Sequence, residues 1–280
     1  MFDQITILAP GLLGASLGMA AKASQLARTV KVWARREEVR EACLRMDWCD
    51  AGFAGLEASV EGSELAIVCA PVDIIPELVE QIRPHLGGGA LITDVGSTKA
   101  AICRQCKDQA GLARFVGSHP MAGSEKSGLE HARADLFMDR PCIVTPLEST
   151  PEASLRRITA FWEGVGMRVH AVSPEEHDRI VAHISHLPHL VASLLARQLG
   201  GSPAEWAALA GNGLRDTTRI AAGSPAIWRS IFANNSAEVM HALTGLEEQL
   251  ACCKSLIARQ DWSAMEQFLA DGQRFRKGLE

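Results

Sequence analysis

The sequence predicts an α/β protein: an N-terminal, doubly wound, mostly parallel sheet domain followed by an all-α segment. Three observations carry this expectation. Short β-branched runs alternate with helical patterns through residue 172, strand signals stop from Pro174 onward, and a glycine-bearing turn follows the first run. The runs are "ITILA", "TVKVWA", "LAIVCAP", "ALITDVG", "RFVGSHP", "CIVTP" and "MRVHAVS". Alternation of this kind builds βαβ units, so all seven are expected in one sheet.

The domain boundary is therefore placed at 172, giving domains over 1–172 and 173–280. "SPEEH" at 173–177 reads as a helix start, with Ser173 as cap, Pro174 in the first helical position and two acids in the first turn. Beyond it apolar residues recur at helical spacing, as in Val239, Leu243, Leu246 and Leu250. The stretch from Ser236 to Arg259 would be about 36 Å long as one helix, more than one small domain has to cover. Its apolar stripe is expected to pair with a second copy, making a homodimer through the C-terminal helices.

A chain of 280 residues that is 47% hydrophobic can bury two cores. Its formal net charge of -5, with signs interspersed, leaves no basic stripe for nucleic acid. Residues 4–21 carry no charge, but Pro10, Gly11, Gly14 and Gly18 interrupt them and Asp3 stands where a leader would be basic. Neither an export signal nor a membrane span is read there. Eight cysteines in such a chain are expected as reduced thiols of a cytoplasmic protein. Cys103 and Cys106 form a lone C-x-x-C with no second pair at zinc spacing, so no metal is expected.

"ITILA" runs into "APGLLGASLG", which meets the G-x-G-x-x-G fingerprint at Gly11 and Gly14 and has Ala9 in the first glycine's place. Gly11, Leu12, Leu13 and Gly14 would carry a pyrophosphate on the free N–H groups of the following helix, the Rossmann-type arrangement. The competing reading is a tight strand-to-helix turn without a ligand. About 20 residues beyond Gly14 an acid would hold the ribose 2′-hydroxyl of NAD, but "VKVWARRE" offers Ala34, Arg35 and Arg36 instead. Two guanidiniums suit a 2′-phosphate, so NADP is expected over NAD. The competing reading pairs these arginines with Glu37 and Glu38 on a solvated turn. "CAPV", with Ala70 and Pro71, and "DVGSTK" end strands on the side where a doubly wound sheet binds its ligand.

"GSHPMAG" at 117–123 puts His119 at a strand's carboxyl end, facing the nicotinamide. "HISHLPH" sets His183, His186 and His189 three residues apart, with Pro188 expected to kink the helix. "GNGLRDTTR" adds Arg215, Asp216 and Arg219 to a cationic cluster.

With "GLLGASL", "DVGSTK", "GSHPMAGSEKSG", "SHLPH" and "LRDTTRIAAGSPAIWRSIF" in this order, the chain resembles, over nearly its whole length, the prephenate and arogenate dehydrogenases of tyrosine biosynthesis. The resemblance implies a minimal catalytic form that oxidises a cyclohexadienol: hydride goes to nicotinamide, and a ring carboxylate leaves as carbon dioxide. It implies His119 as the group bonded to the substrate hydroxyl, with Ser97 assisting. A neutral imidazole with a pKa of about 6.5 is suited to take that hydroxyl proton. It implies Arg219 on a substrate carboxylate, Ser185, His186 and His189 along the pocket with His189 in contact, and Ser124 and Glu125 gating it. Trp228 is expected as pocket wall or core, Asp216 as an orienter of arginine, and Arg215 as reaching across a dimer interface.

Three other readings compete. They are a metal hydrolase built on His177, His183, His186 and His189, a non-catalytic NADP-binding sensor, and a β-hydroxyacid dehydrogenase, whose helical-domain lysine would have to stand where "HISHLPH" does.

Overall fold

The computed structural model describes residues 1–107, 114–123 and 128–279. Six parallel strands form the main sheet: β1 (Phe2–Leu8), β2 (Ala27–Trp33), β3 (Ala51–Phe53), β4 (Leu65–Val68), β5 (Leu91–Asp94) and β6 (Arg114–Phe115). Their order, β3-β2-β1-β4-β5-β6, is that of a doubly wound dinucleotide-binding sheet. The helices between and after them are α1 (Leu12–Ala23), α2 (Glu37–Leu44), α3 (Leu56–Val60), α4 (Ile75–Ile82), α5 (Ala100–Gln105) and α6 (Glu152–Gly164).

Strand alternation feeds two cores. Leu65 and Ile67 pack with Leu17, Phe161 and Trp162, whereas Ala66 and Val68 pack with Ile75, Leu78 and Val79. A strand covered on both faces has no reason to alternate polar with apolar, which is why "LAIV" reads as an unbroken apolar run.

The last runs do not extend this sheet, which corrects the single-sheet expectation. After β6 the chain leaves the ladder, and β7 (Gly117–Pro120) pairs antiparallel with β8 (Pro141–Thr145). β8 in turn pairs parallel with β9 (Arg168–Ala171) in a separate three-stranded sheet. The physical cause lies at Ser118, whose N–H donates to the Asp94 carboxylate at 3.0 Å instead of to a strand carbonyl. His119 therefore sits within a strand of the second sheet, not at the carboxyl end of a main-sheet strand.

All described strands precede residue 172, and only helices follow: α7 (Pro174–Val181), a π-helical turn (Ala182–His186), α8 (Leu187–Gly200), α9 (Ala204–Ala208), α10 (Asn212–Thr218), α11 (Pro225–Asn234), α12 (Ser236–Ala258) and α13 (Trp262–Lys277). Ser173 Oγ caps α7 by accepting from Glu176 N at 3.1 Å. Pro188, expected to kink a helix, lies in the first turn of α8, where its missing N–H costs nothing, and a π turn precedes it.

By compactness the chain divides at 235, into Met1–Asn235 and Ser236–Glu280. Residues 173–235 are tied to the sheet domain by bonds such as Lys99 N to Asp178 Oδ1, at 2.7 Å. The second unit pairs α12 with α13, which Asp261 caps through Ala264 N. It leaves Met240, Leu250, Ile257, Trp262, Leu269 and Phe275 exposed. No described helix is long and apolar enough to cross a membrane. The cysteines are free, and burial pushes the Cys103 and Cys106 thiols up to about 11 and about 12, as inert core residues.

Gly18 of α1 lies against the buried Trp48, where an added Cβ would fall 2.1 Å from the indole. Gly18→Ala is therefore expected to lower stability by about 1–3 kcal/mol through overpacking, seen as a lower urea midpoint at unchanged slope.

Candidate active site

The cofactor end is built where β1 and β4 lie side by side and the strand order reverses. Ala9 leaves β1 with φ at +56°, the left-handed backbone a glycine would adopt freely and an alanine adopts at a cost of about 1 kcal/mol. Gly11 then caps α1 without a side-chain hydrogen bond, and no acid occupies the first turn. An added Cβ at Gly11 would meet nothing within 4 Å, whereas one at Gly14 would lie 3.0 Å from Ile7 and 3.3 Å from Cys69. Gly11 thus opens a cradle over the helix N-terminus and Gly14 lets helix and strand close, with Leu12 and Leu13 half-buried between them. The residues fit a pyrophosphate.

At the end of β2, Ala34 is buried while Arg35 and Arg36 are exposed. Among the described residues neither arginine forms an ion pair with Glu37 or Glu38. The turn is held from behind by Arg40, which donates to the carbonyls of Ala34 at 2.8 Å and Arg35 at 3.0 Å. Beyond β4, Ala70 is buried, and the carbonyl of exposed Pro71 accepts from Ile74 N at 2.9 Å.

The chemical end starts from Asp94, fully buried at the end of β5. Its carboxylate accepts from Gly96 N at 2.9 Å, from Ser118 N at 3.0 Å and from the buried Lys99 ammonium. Asp178 of α7 receives the N–H groups of Lys99 and Ala100 at 2.7 and 3.0 Å and lies 2.8 Å from His177 Nδ1. His177 Nε2 is in turn 2.9 Å from Nδ1 of His119, a ring only 8% exposed. Burial, then the neighbouring His177, Lys99 and His186, hold the His119 pKa well below the ordinary imidazole value. Burial takes His177 down to about 2.

His186 is buried, 3.2 Å from the Asn235 amide by its Nδ1 and in contact with the Ser97 backbone. Burial lowers it to about 4 against the opposing pull of the Asp178 carboxylate. His189 stacks on Trp228 with ring centroids 3.5 Å apart and lies beside the backbone of Ile220. Trp228 is thus a wall for two imidazoles, since His186 meets it edge-on. Arg219 is exposed at the start of the turn Arg219–Ala222, which packs on α8. Ser185 is half-buried on the π turn and His183 is exposed, so the three histidines do not share one face. Ser124 and Glu125 lie outside the described residues.

His119 Nδ1 thus finds His177, a residue whose sequence setting suggests only a helix start or a possible metal ligand. Asp94, Lys99 and Asp178 were also missed. A signal existed: the buried face of α7 comprises Pro174, His177, Asp178 and Val181, so the i, i+3, i+4, i+7 stripe puts two polar residues inward.

A model of the prephenate dehydrogenase nucleotide-binding domain matches residues 17–171, and one of the prephenate dehydrogenase dimerization domain matches 173–271. The chain belongs to the prephenate dehydrogenase family. The cyclohexadienyl dehydrogenase of Zymomonas mobilis is 30% identical, the match covering 100% of this chain and 97% of that one. The structure of the Aquifex aeolicus prephenate dehydrogenase with hydroxyphenyl propionate and NAD+ superposes with a TM-score of 0.93 at 30% identity, covering 100% and 99% of the two chains. The Synechocystis arogenate dehydrogenase gives 0.84 at 27% identity, covering 99% and 100%. Family membership makes the protein an oxidoreductase with a pyridine-nucleotide cofactor, and sets aside the metal-hydrolase and β-hydroxyacid dehydrogenase readings.

The neutral histidines have a thermodynamic consequence. Unfolded, their imidazoles take up protons below about pH 6.5, whereas in the folded chain they do not. Below that pH the unfolded state binds more protons, so stability falls as pH falls. His119, His177 and His186 each contribute on the order of 1 kcal/mol per pH unit, down to about 4 for His186 and about 2 for His177. Urea midpoints are expected to be level between about pH 7.5 and 6.5 and to drop steeply by about pH 5.5; a level midpoint throughout would show that these rings protonate in the folded state.

Proposed function

We propose that the protein catalyses the NADP-preferring oxidative decarboxylation of prephenate to 4-hydroxyphenylpyruvate, or of arogenate to tyrosine, in tyrosine biosynthesis. The observation that carries this reading is the buried, neutral His119, an acceptor ready for a hydroxyl proton at neutral pH. The bound nicotinamide supplies the hydride acceptor. His119 would take the proton of the ring hydroxyl as hydride leaves the same carbon; the ring carboxylate would then depart as carbon dioxide, the bonding pair it leaves would aromatise the ring, and the phenolate oxygen would take the proton back from His119, with Ser97 giving that oxygen a second contact.

The substrate's two carboxylates need donors that remain cationic or hydrogen-bonding in a partly buried cleft. Arg219 holds one of them, His189 contacts the substrate, and Ser185 and His186 line the same pocket. Ser124 and Glu125 gate it. Prephenate and arogenate differ by a keto or an amino group, a distinction of one or two polar contacts.

At the cofactor end Gly11, Leu12, Leu13 and Gly14 carry the pyrophosphate. Ala70 and Pro71 line the crevice, and Arg35 and Arg36 face the 2′-phosphate. Residues 1–172 form the dinucleotide-binding domain and 173–280 the helical substrate-binding and dimerisation domain. The exposed apolar residues of α12 and α13 support a homodimer, and the free thiols support a cytoplasmic protein.

Initial rates of nicotinamide reduction, with prephenate and arogenate crossed against NADP and NAD, test the reading. One substrate is expected to turn over with NADP at least about tenfold more efficiently than with NAD. His119→Asn is expected to lower kcat by roughly a hundredfold or more while cofactor binding persists. Reduction of neither cofactor would leave the NADP-binding sensor as the reading. Ala34→Asp combined with Arg35→Asn is expected to move the preference toward NAD, and unchanged selectivity would remove Arg35 and Arg36 from 2′-phosphate recognition.

A further inference from the structure

We propose that His177, backed by Asp178, is a positioning residue: it fixes His119 with its proton on Nδ1, so that Nε2 is left as the acceptor for the substrate hydroxyl. This rests on the reading of His119 as the group that takes that proton, and it assigns a task to a buried pair that the proposed chemistry has not used.

Counting protons along the chain of contacts allows one arrangement. The Asp178 carboxylate already accepts two backbone N–H groups, from Lys99 at 2.7 Å and Ala100 at 3.0 Å. Burial raises the Asp178 carboxyl, and these two N–H donors, one on each oxygen, oppose that shift and favour the ionised, acceptor-only form at neutral pH. His177 Nδ1, 2.8 Å from the same carboxylate, must therefore carry a hydrogen. A neutral imidazole has one N–H, so His177 Nε2 is an acceptor. His119 Nδ1, 2.9 Å away, must then donate to it. That leaves the lone pair of His119 on Nε2. In water the two tautomers interchange freely, and a hydrogen bond to one nitrogen is what selects between them.

The titratable groups that face His119 are consistent with this assignment. His177 faces His119 from α7, Lys99 from the turn before α5 and His186 from the π turn. The Lys99 ammonium is bound to Asp94, so it is not an unpaired cation beside the ring. Both imidazoles are kept neutral by burial, as the proton count requires. When the substrate proton arrives at Nε2, His119 becomes an imidazolium whose Nδ1–H still points at His177 Nε2, with the Asp178 carboxylate behind. No proton has to leave Nδ1, and the same contact that selects the tautomer then stabilises the charge.

The test combines a spectroscopic signature with two substitutions. Long-range 1H–15N spectra of labelled wild-type protein, with the His119 signals identified by their loss in H119N, are expected to show both His119 and His177 protonated on Nδ1 between about pH 6 and 8. His177→Leu fills the space without an acceptor, and is expected to release His119 to its other tautomer and lower kcat by on the order of 10- to 100-fold at nearly constant KM. His177→Gln offers an amide oxygen where Nε2 stood, and is expected to restore most of that loss. A His119 protonated on Nε2 in the wild type overturns the proposal, and this result does not depend on any variant folding. So does a folded His177→Leu protein with kcat within about twofold of wild type. If H119N is slow while His177→Leu is not, the positioning role alone fails; if H119N is itself fast, the base assignment fails and takes the positioning role with it.

Discussion

Everything at the chemical end depends on one fully buried ion pair, Asp94 with Lys99. A buried pair of this kind contributes little net stability, because desolvation consumes most of the Coulombic gain, yet removing one partner costs about 3–5 kcal/mol by stranding the other charge. What the pair supplies is direction. The Asp94 carboxylate takes the Ser118 N–H and so turns the chain out of the main sheet into β7. Its partner anchors the turn whose amides reach Asp178. Sheet end, second sheet and helical segment are thus drawn to one point, and His119 stands there.

The opposite face of β7 is fastened with equal completeness. Trp162 Nε1 donates to Ser118 Oγ at 3.0 Å. Thr93 Oγ1 gives its hydrogen to the Val116 carbonyl at 2.7 Å, so the 2.8 Å contact between the two hydroxyls must run from Ser118 to Thr93. Each buried hydroxyl therefore donates once and accepts once, which a low-dielectric interior rewards. Because side chains alternate along a strand, locking Ser118 toward α6 commits His119 to the side where α7 lies.

Much of this organisation is legible in the sequence. Apolar runs bounded by turn residues mark β1, β2, β4 and β5, and the change from strand to helix at Pro174 is as sharp in the chain as in the fold. β3 escapes notice because three residues carry no period. The second sheet escapes because the bond that creates it joins a side chain to a backbone amide 24 positions away, and no local pattern encodes such a contact. His119, His186 and His189 could be singled out because small residues or a repeat surround them. His177 and Asp178 were hidden by their setting: in "SPEEHDR" they continue what looks like the polar start of a surface helix, and only the spacing to Val181 reveals that they face inward.

The π turn at Ala182–His186 separates two helical stretches of different phase. Such a turn holds one residue more than the α-helical path it replaces, and one residue corresponds to a rotation of about 100° around the helix axis. The imidazoles on either side of it therefore have separate angular settings: His177 is phased by α7 toward the second sheet, while His189 is phased by α8 toward Trp228. A continuous α-helix would couple the two, so that any rotation improving one would spoil the other. The inserted residue works as a clutch between the half of the helical segment that meets His119 and the half that meets the tryptophan.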